Sequence, residues 1–332
     1  MASSITARSV LTAANVKMPY VGLGTWLASS EEIETAVDAA LTAGYRHIDT
    51  AFTYENEAMI GNVLKKWLDS GKIKREELFI VTKLPNNAMR EDLVEDYLKQ
   101  SLSALQLSYV DLYLVHMPVG LQSGIGLRPR NEDGSFKLDQ TTDILAVWKA
   151  MEKQVDRSRA KAIGVSNFNI NQLERIQKIS RIPPVNNQVE LHVYLQQKDL
   201  QKYCKDNGII MTAYAPLGSS GMVAFVKKVG VTLEGGNDED PRADPVVIRI
   251  AKSHNKTTAQ VLLRFLIQSG INIIPKSVNP DRIRQNFQLF DFVLTNKEMA
   301  ELNALDKGKD GRKFCGDLLR GMQKHPEYPF PN

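Results

Sequence analysis

Cysteine is almost missing from this chain: Cys204 and Cys315 are the only two among 332 residues. Two thiols cannot staple a fold, and their scarcity points to a reducing compartment. No C-x-x-C pair and no H-E-x-x-H spacing occurs, so neither a cysteine-held zinc nor a zincin helix is expected. The histidines other than His47 and His116 (His192, His254 and His325) are scattered, and no metal site is expected. Residues 1–8 lack the apolar core of a secretion signal, and no apolar run nears the ~18 residues of a membrane-crossing helix. Charge of one sign is also lacking: 42 Lys+Arg face 38 Asp+Glu, a formal net charge of +4. The two locally basic stretches, 72–75 and 157–161, read as solvated helix ends rather than a nucleic-acid surface. The expectation is a soluble, cytoplasmic, monomeric protein with neither nucleic acid nor membrane as partner.

What the chain does contain is ordinary globular material, 43% hydrophobic and 24% charged. Short apolar runs at 20–25, 47–50, 78–83, 111–116, 162–166, 185–188, 209–214 and 271–276 read as buried strands. Between them lie helical periodicities. One opens with a capping-box pattern from Ser29 to Glu32, continues through Ile33, Val37, Ala40 and Leu41, and stops at Gly44. Others run through Ile60, Val63, Leu64 and Trp67, and through Ile144, Val147, Trp148 and Met151. Eight apolar strands alternating with helices predict an α/β fold, a single (β/α)8 TIM barrel spanning 1–332. An open doubly wound sheet would place a G-x-G-x-x-G turn after an early strand, and the segment 22–27 lacks the third glycine.

Chemistry in a barrel sits at the C-terminal strand ends. Those ends carry Thr25 and Trp26, Asp49, Lys83, His116, Ser166 and Asn167, Gln188, Tyr214 and Lys276. Any one has a bland reading: Asp49 as a cap, Tyr54 as a surface aromatic, His116 as a satisfied core histidine. Polar or aromatic groups at every end favour a converging site. A lysine at an apolar barrel mouth needs a carboxylate, which Asp49 supplies. A cation beside a phenol is expected to lower the pKa of Tyr54 toward neutrality, making it a proton donor and acceptor. His116 could then orient a substrate oxygen. His47-x-Asp49 resembles half a metal site, but strand alternation is expected to separate the two except at an edge, and no third ligand is suitably spaced. The run 164–168 lacks the second glycine of a nucleophile elbow.

The segments Gly22-Leu23-Gly24-Thr25-Trp26, Gly44-Tyr45-Arg46-His47-Ile48-Asp49-Thr50-Ala51-x-x-Tyr54, Thr82-Lys83-Leu84 and 111–116 together resemble the aldo-keto reductases. So do Gly164-Val165-Ser166-Asn167-Phe168, 214–219, Ile274-Pro275-Lys276-Ser277-Val278 and a tail at 325–330 like that of aldose reductase. The resemblance implies a barrel with an N-terminal β-hairpin, extra helices and a C-terminal substrate loop. It also implies NADPH (NADP+) as cofactor and a small-molecule carbonyl substrate. By that resemblance Tyr54 is the general acid, Asp49 and Lys83 tune it, and His116 orients the carbonyl. Ser166, Asn167 and Gln188 match groups that hold the nicotinamide amide, and Tyr214 the ring that stacks on it. Thr25, Trp26 and Asp49 border the cofactor, while Pro216, Leu217 and Ser219 lie in the pyrophosphate loop. Lys276, Ser277, Val278 and Arg282 match the grip on the 2′-phosphate, and Gln285 and Asn286 flank the adenine. Trp26, Tyr54, Pro85, His116 and Met117 are the expected substrate contacts.

Three departures stand out. Gln285 replaces a common glutamate, and Pro85 and Met117 replace pocket tryptophans of aldose reductase. A His-Met-Pro turn resembles insect members of the family, a moth 3-dehydroecdysone reductase among them, so a bulky ketosteroid is a candidate substrate. The acidic, Gly-containing stretch 222–244 reads as a flap or a surface insertion. The competing function is a relative that keeps barrel and cofactor but not turnover. Retention of Asp49, Tyr54, Lys83 and His116 argues against it.

Overall fold

The computed structural model describes residues 5–219 and 239–330. An antiparallel hairpin, β1 (Val10–Ala13) and β2 (Val16–Pro19), precedes the main sheet. Eight parallel strands then follow in chain order, each beside its predecessor. They are β3 (Leu23–Gly24), β4 (His47–Asp49), β5 (Phe79–Leu84), β6 (Val110–Val115), β7 (Ala160–Ser166), β8 (Asn186–Glu190), β9 (Ile210–Tyr214) and β10 (Asn272–Ile273). Parallel bridges from Val21 to Ile273 and from Gly24 to Lys276 join the first strand to the last, closing the (β/α)8 barrel. At this seam the predicted runs 20–25 and 271–276 shorten to two-residue strands. Pro275 has no N–H to give a ladder, and pairing continues only as isolated bonds such as Gly22 N–H to Ile273 O at 2.8 Å. A Cβ on Gly24 would sit 2.6 Å from the Ile274 carbonyl, so the seam closes only around glycine.

Alternation sorts the strand residues into two sets. Ile80, Leu84, Tyr113, Val115, Ile163, Val165, Met211 and Ala213 face the helices in one large core. Phe79, Val81, Leu112, Leu114, Ala162 and Ile210 point into the barrel, where Ala13 and Met18 of the hairpin plug the bottom. Counting upward by two from the interior set reaches Lys83 on β5, His116 beyond β6 and Ser166 on β7. The same parity puts His47 and Asp49 both inside, which corrects the expectation that alternation would separate them. His47 lies one layer below, against Phe79 at 5.2 Å between ring centroids. Among the described residues no group of three or more His, Cys, Asp or Glu could hold a metal.

The surrounding helices follow from their caps. In α1 (Ser30–Ala43) the capping box of Ser29 and Glu32 forms as expected, and Gly44 ends the helix at φ 102°. That left-handed turn is open to glycine at little cost. In α2 (Ile144–Asp156) Asp143 caps the start and Trp148 is fully buried, its indole N–H bonded to the Ile182 carbonyl at 3.2 Å. No helix among the described residues is long and apolar enough to cross a membrane. Of the predicted flap 222–244, residues 222–238 lie outside the described residues.

The C-terminal segment returns over the barrel mouth. Glu327 takes a two-pronged ion pair from Arg175 at 2.9 and 2.7 Å. His325 Nε2 donates to the Asp139 carbonyl at 2.8 Å. The first contact binds the tail to the helix Ile170–Ile179 and the second to the long loop after β6, where Met117, Val119, Leu121, Phe136 and Met322 pack in one apolar cluster.

Candidate active site

Lys83 is fully buried at the upper end of the barrel interior. Its ammonium meets Asp49 Oδ1 at 2.6 Å, the Thr50 carbonyl at 2.8 Å and the Tyr54 hydroxyl at 3.4 Å. The other Asp49 oxygen accepts from Gln188 Nε2 at 2.7 Å. A buried cation is thus matched by one carboxylate, and both carboxylate oxygens are used, as the cost of burying charge demands. Tyr54 sits on the short turn Phe52–Tyr54 just after β4, with its ring 5.7 Å from that of His116 and nearly perpendicular to it. Asp49, Tyr54, Lys83 and His116 therefore converge, as read from the sequence.

The electrostatics differ from expectation at Tyr54. Burial, reinforced by the negative charge of Asp49, raises its pKa well above 10, and Arg128 opposes this only in part. The expected drop toward neutrality is overturned because loss of water outweighs a cation that Asp49 already neutralises. Tyr54 is a neutral phenol, a donor. Burial, then Lys83 and Arg128, holds the His116 pKa well below its ordinary value, so the imidazole is neutral. Burial also lowers the Lys83 pKa, while Asp49 pulls it back up.

A second chain of bonds crosses the adjoining wall. Ser166 Oγ donates to the Gln188 carbonyl at 2.7 Å, and Asn167 Nδ2 donates to the His116 carbonyl at 3.0 Å. Tyr214 donates its hydroxyl to Asn167 Oδ1 at 2.8 Å. Asn167 adopts φ 62°, a left-handed turn that asparagine tolerates, which swings its amide between His116 and Tyr214. Thr25 is buried and bonds the Asp49 carbonyl at 2.9 Å, while Trp26 is half-buried. Pro216 is buried, and Leu217 and Ser219 extend from β9.

The predicted phosphate-grip residues gather at the barrel seam. The Lys276 ammonium reaches the Leu27 carbonyl at 3.3 Å, and burial lowers its pKa against the pull of Glu32. Ser277 accepts from the Asn279 N–H at 3.2 Å, and Asn279 caps the helix Pro280–Phe287. Val278 packs on the core, Arg282 and Gln285 are exposed, and Asn286 is buried. Arg282 has no carboxylate partner among the described residues.

Pro85 follows β5 and is buried. Met117 does not stand in the open as a pocket wall: it is 6% exposed, held in the apolar cluster under the C-terminal segment. Its effect on substrate must pass through that packing.

Several site residues escaped the sequence reading. Asn56, buried, ties the Thr25 carbonyl at 2.9 Å to the Thr50 hydroxyl at 3.1 Å. Arg128 bonds the Thr53 carbonyl at 2.9 Å beside Tyr54. Phe314 places its ring 5.0 Å from Tyr214 and 5.6 Å from Trp26. Arg128 and Phe314 come from long loops, and their only signals were an arginine pair at 128 and 130 and a lone aromatic in a basic segment.

The comparisons agree with this geometry. Residues 20–307 match the Aldo/keto reductase family. The chain is 43% identical over 324 residues to aldo-keto reductase family 1 member A1-A of Danio rerio, covering 95% of each. It is 41% identical over 336 residues to aldo-keto reductase family 1 member A1 of Mus musculus, covering 98% of this chain and 99% of that one. The solved aldose reductase of Schistosoma japonicum superposes with a TM-score of 0.87 at 41% identity, covering 97% of this chain and 98% of that one. A closed (β/α)8 barrel, its four converging polar side chains and these likenesses lead to one conclusion: the chain belongs to the aldo/keto reductase family and is an oxidoreductase.

Proposed function

We propose that the enzyme reduces aldehyde or ketone carbonyls with NADPH, working as a cytoplasmic monomer, and that Tyr54 delivers the proton. The chain from buried Asp49 and Lys83 to the half-buried Tyr54, beside a neutral His116, carries this reading. The donor set suits the cofactor. Ser166, Asn167 and Gln188 offer amide-type partners, and the Tyr214 ring stands beside them. Lys276 and Arg282, neither of which has a carboxylate ion-pair partner among the described residues, would meet a 2′-phosphate. When bound, the cofactor supplies the hydride. His116 donates an N–H to the carbonyl oxygen and fixes its direction. The Tyr54 phenol passes its proton to the oxygen as negative charge develops there. Lys83 then faces the phenolate oxygen that remains, and Asp49 with the Thr50 carbonyl keeps the ammonium in place.

For the acceptor, two classes have support. Pro85 and Met117 stand where indoles would narrow the mouth, Met117 acting through its packing under the C-terminal segment rather than by contact, and this favours a bulky apolar ketone such as a 3-dehydroecdysteroid. Arg128, beside Tyr54 and within electrostatic reach of Arg130, favours an aldehyde that carries a carboxylate. Oxidation of NADPH would be followed with ketosteroids, neutral aldehydes and a carboxylate-bearing aldehyde of matched length. No turnover with any of them sinks the reductase reading in favour of a cofactor-binding protein. A Arg128→Met loss confined to the carboxylate substrate selects the second class, and a uniform loss removes it.

A further inference from the structure

Glu190 ends β8, two residues beyond Gln188 and on the same interior face. It is fully buried, yet the proton and hydride chemistry does not touch it. Its carboxylate gathers three donors: the Lys313 N–H at 2.8 Å, the Phe314 N–H at 3.0 Å and His192 Nε2 at 3.1 Å. Hydrogen bonds to a buried carboxylate are short and strong, and orphaning either side is costly. The backbone at 313–314 is therefore pinned to the end of a barrel strand.

Neighbouring contacts show what this pin locates. Lys307 N–H bonds the Tyr194 carbonyl at 2.9 Å. At Gly311 the chain presses so closely that a Cβ would lie 2.0 Å from that same carbonyl. The Lys313 ammonium bonds the Glu239 carbonyl at 2.7 Å. Immediately beyond, the Phe314 ring meets the half-buried Tyr214 edge-on and the half-buried Trp26 at a tilt.

We propose that Glu190 is a positioning residue: through the amides of Lys313 and Phe314 it sets the Phe314 ring as a wall of the acceptor pocket and so governs which carbonyl compounds fit. The proposal rests on the reductase reading. It assigns Glu190 to substrate discrimination rather than to cofactor binding or proton delivery, because the two backbone amides its carboxylate accepts from lie on the segment that bears Phe314, while its third donor, His192, follows its own strand.

The test uses the full-length enzyme with NADPH and an aromatic aldehyde. Glu190→Gln keeps the shape but turns one acceptor into an NH2 group facing an N–H. KM should rise about 10-fold, while kcat and the NADPH dissociation constant, read by cofactor fluorescence, move less than about 3-fold. Hydrogen exchange at the Lys313 and Phe314 amides should accelerate, with β4 to β6 unaffected. Phe314→Ala should reproduce the KM rise with Glu190 intact, and the double variant should add nothing further. Faster exchange without a change in KM overturns the proposal, as does an unchanged KM in Phe314→Ala. Should Glu190→Gln fail to fold, two measurements still decide. Wild-type amides at 313 and 314 that exchange as fast as those at 308–311 overturn it; slow exchange there together with the Phe314→Ala effect sustains it. A wild type inactive with every carbonyl defeats the reductase reading and this proposal with it. An active wild type whose KM ignores both variants defeats this proposal alone.

Discussion

Replacing Lys83 with methionine separates the energetics of the buried pair from its chemistry. Lys83 is fully enclosed and Asp49 is 1% exposed, so neither charge can turn to water. Methionine fills most of the volume but removes the ammonium's bonds to Asp49 and the Thr50 carbonyl, leaving Gln188 as the carboxylate's side-chain donor among the described residues. Breaking a buried ion pair by removing one partner costs about 3–5 kcal/mol, because the remaining charge stays desolvated. Removing both is cheaper: Lys83→Met with Asp49→Asn leaves no charge, and the asparagine oxygen still accepts from Gln188. Urea unfolding should therefore show the single variant less stable than the double by about 2 kcal/mol or more. Both variants should be inactive, so the recovery in stability would come without recovery in turnover. If the double variant is as unstable as the single or more so, the loss reflects packing rather than an orphaned carboxylate, and the account of the site's electrostatics is wrong.

Tyr54→Phe should abolish reduction while leaving NADPH affinity nearly intact, since only the proton donor is lost; activity within a few-fold of wild type would remove Tyr54 from that role. Lys276→Met should weaken NADPH binding far more than NADH binding in a titration, and equal weakening would place the phosphate grip elsewhere. Burial pulls the His47 pKa down to about 4, so its neutral form favours the fold. That stability is present above the ordinary value near 6.5 and fades as pH falls toward 4, by roughly 3 kcal/mol at about 1.4 kcal/mol per pH unit. His47→Gln should flatten this decline in unfolding experiments from pH 7 to 4, and an unchanged slope would show that other groups cause it. Met117→Trp must enlarge a packed cluster, so it should cost about 1–3 kcal/mol of stability and lower kcat/KM for a ketosteroid more than for a small aldehyde; equal losses would exclude a role in pocket shape.

Much of this protein is written in local pattern. The eight apolar runs, the Ser29 cap and the Gly44 stop depend on neighbours in sequence, and each run holds a strand, though the two at the seam are only two residues long. The four polar side chains at Asp49, Tyr54, Lys83 and His116 were legible too, because strand-end position in a barrel implies convergence. Tertiary structure alone decided three other matters. The Tyr54 pKa rises rather than falls, since burial depends on what encloses the phenol and on an Asp49 charge that already answers Lys83. Met117 packs beneath the tail instead of facing an open pocket, because Phe136, farther along the same loop, and Met322, from the C-terminal segment, close over it. Phe314 meets Tyr214 from a segment whose amide is bonded to Glu190, 124 positions earlier. Periodicity records which face a residue takes within its own element. Solvent exclusion and long-range hydrogen bonds arise only when separate elements meet, so no local pattern could carry them.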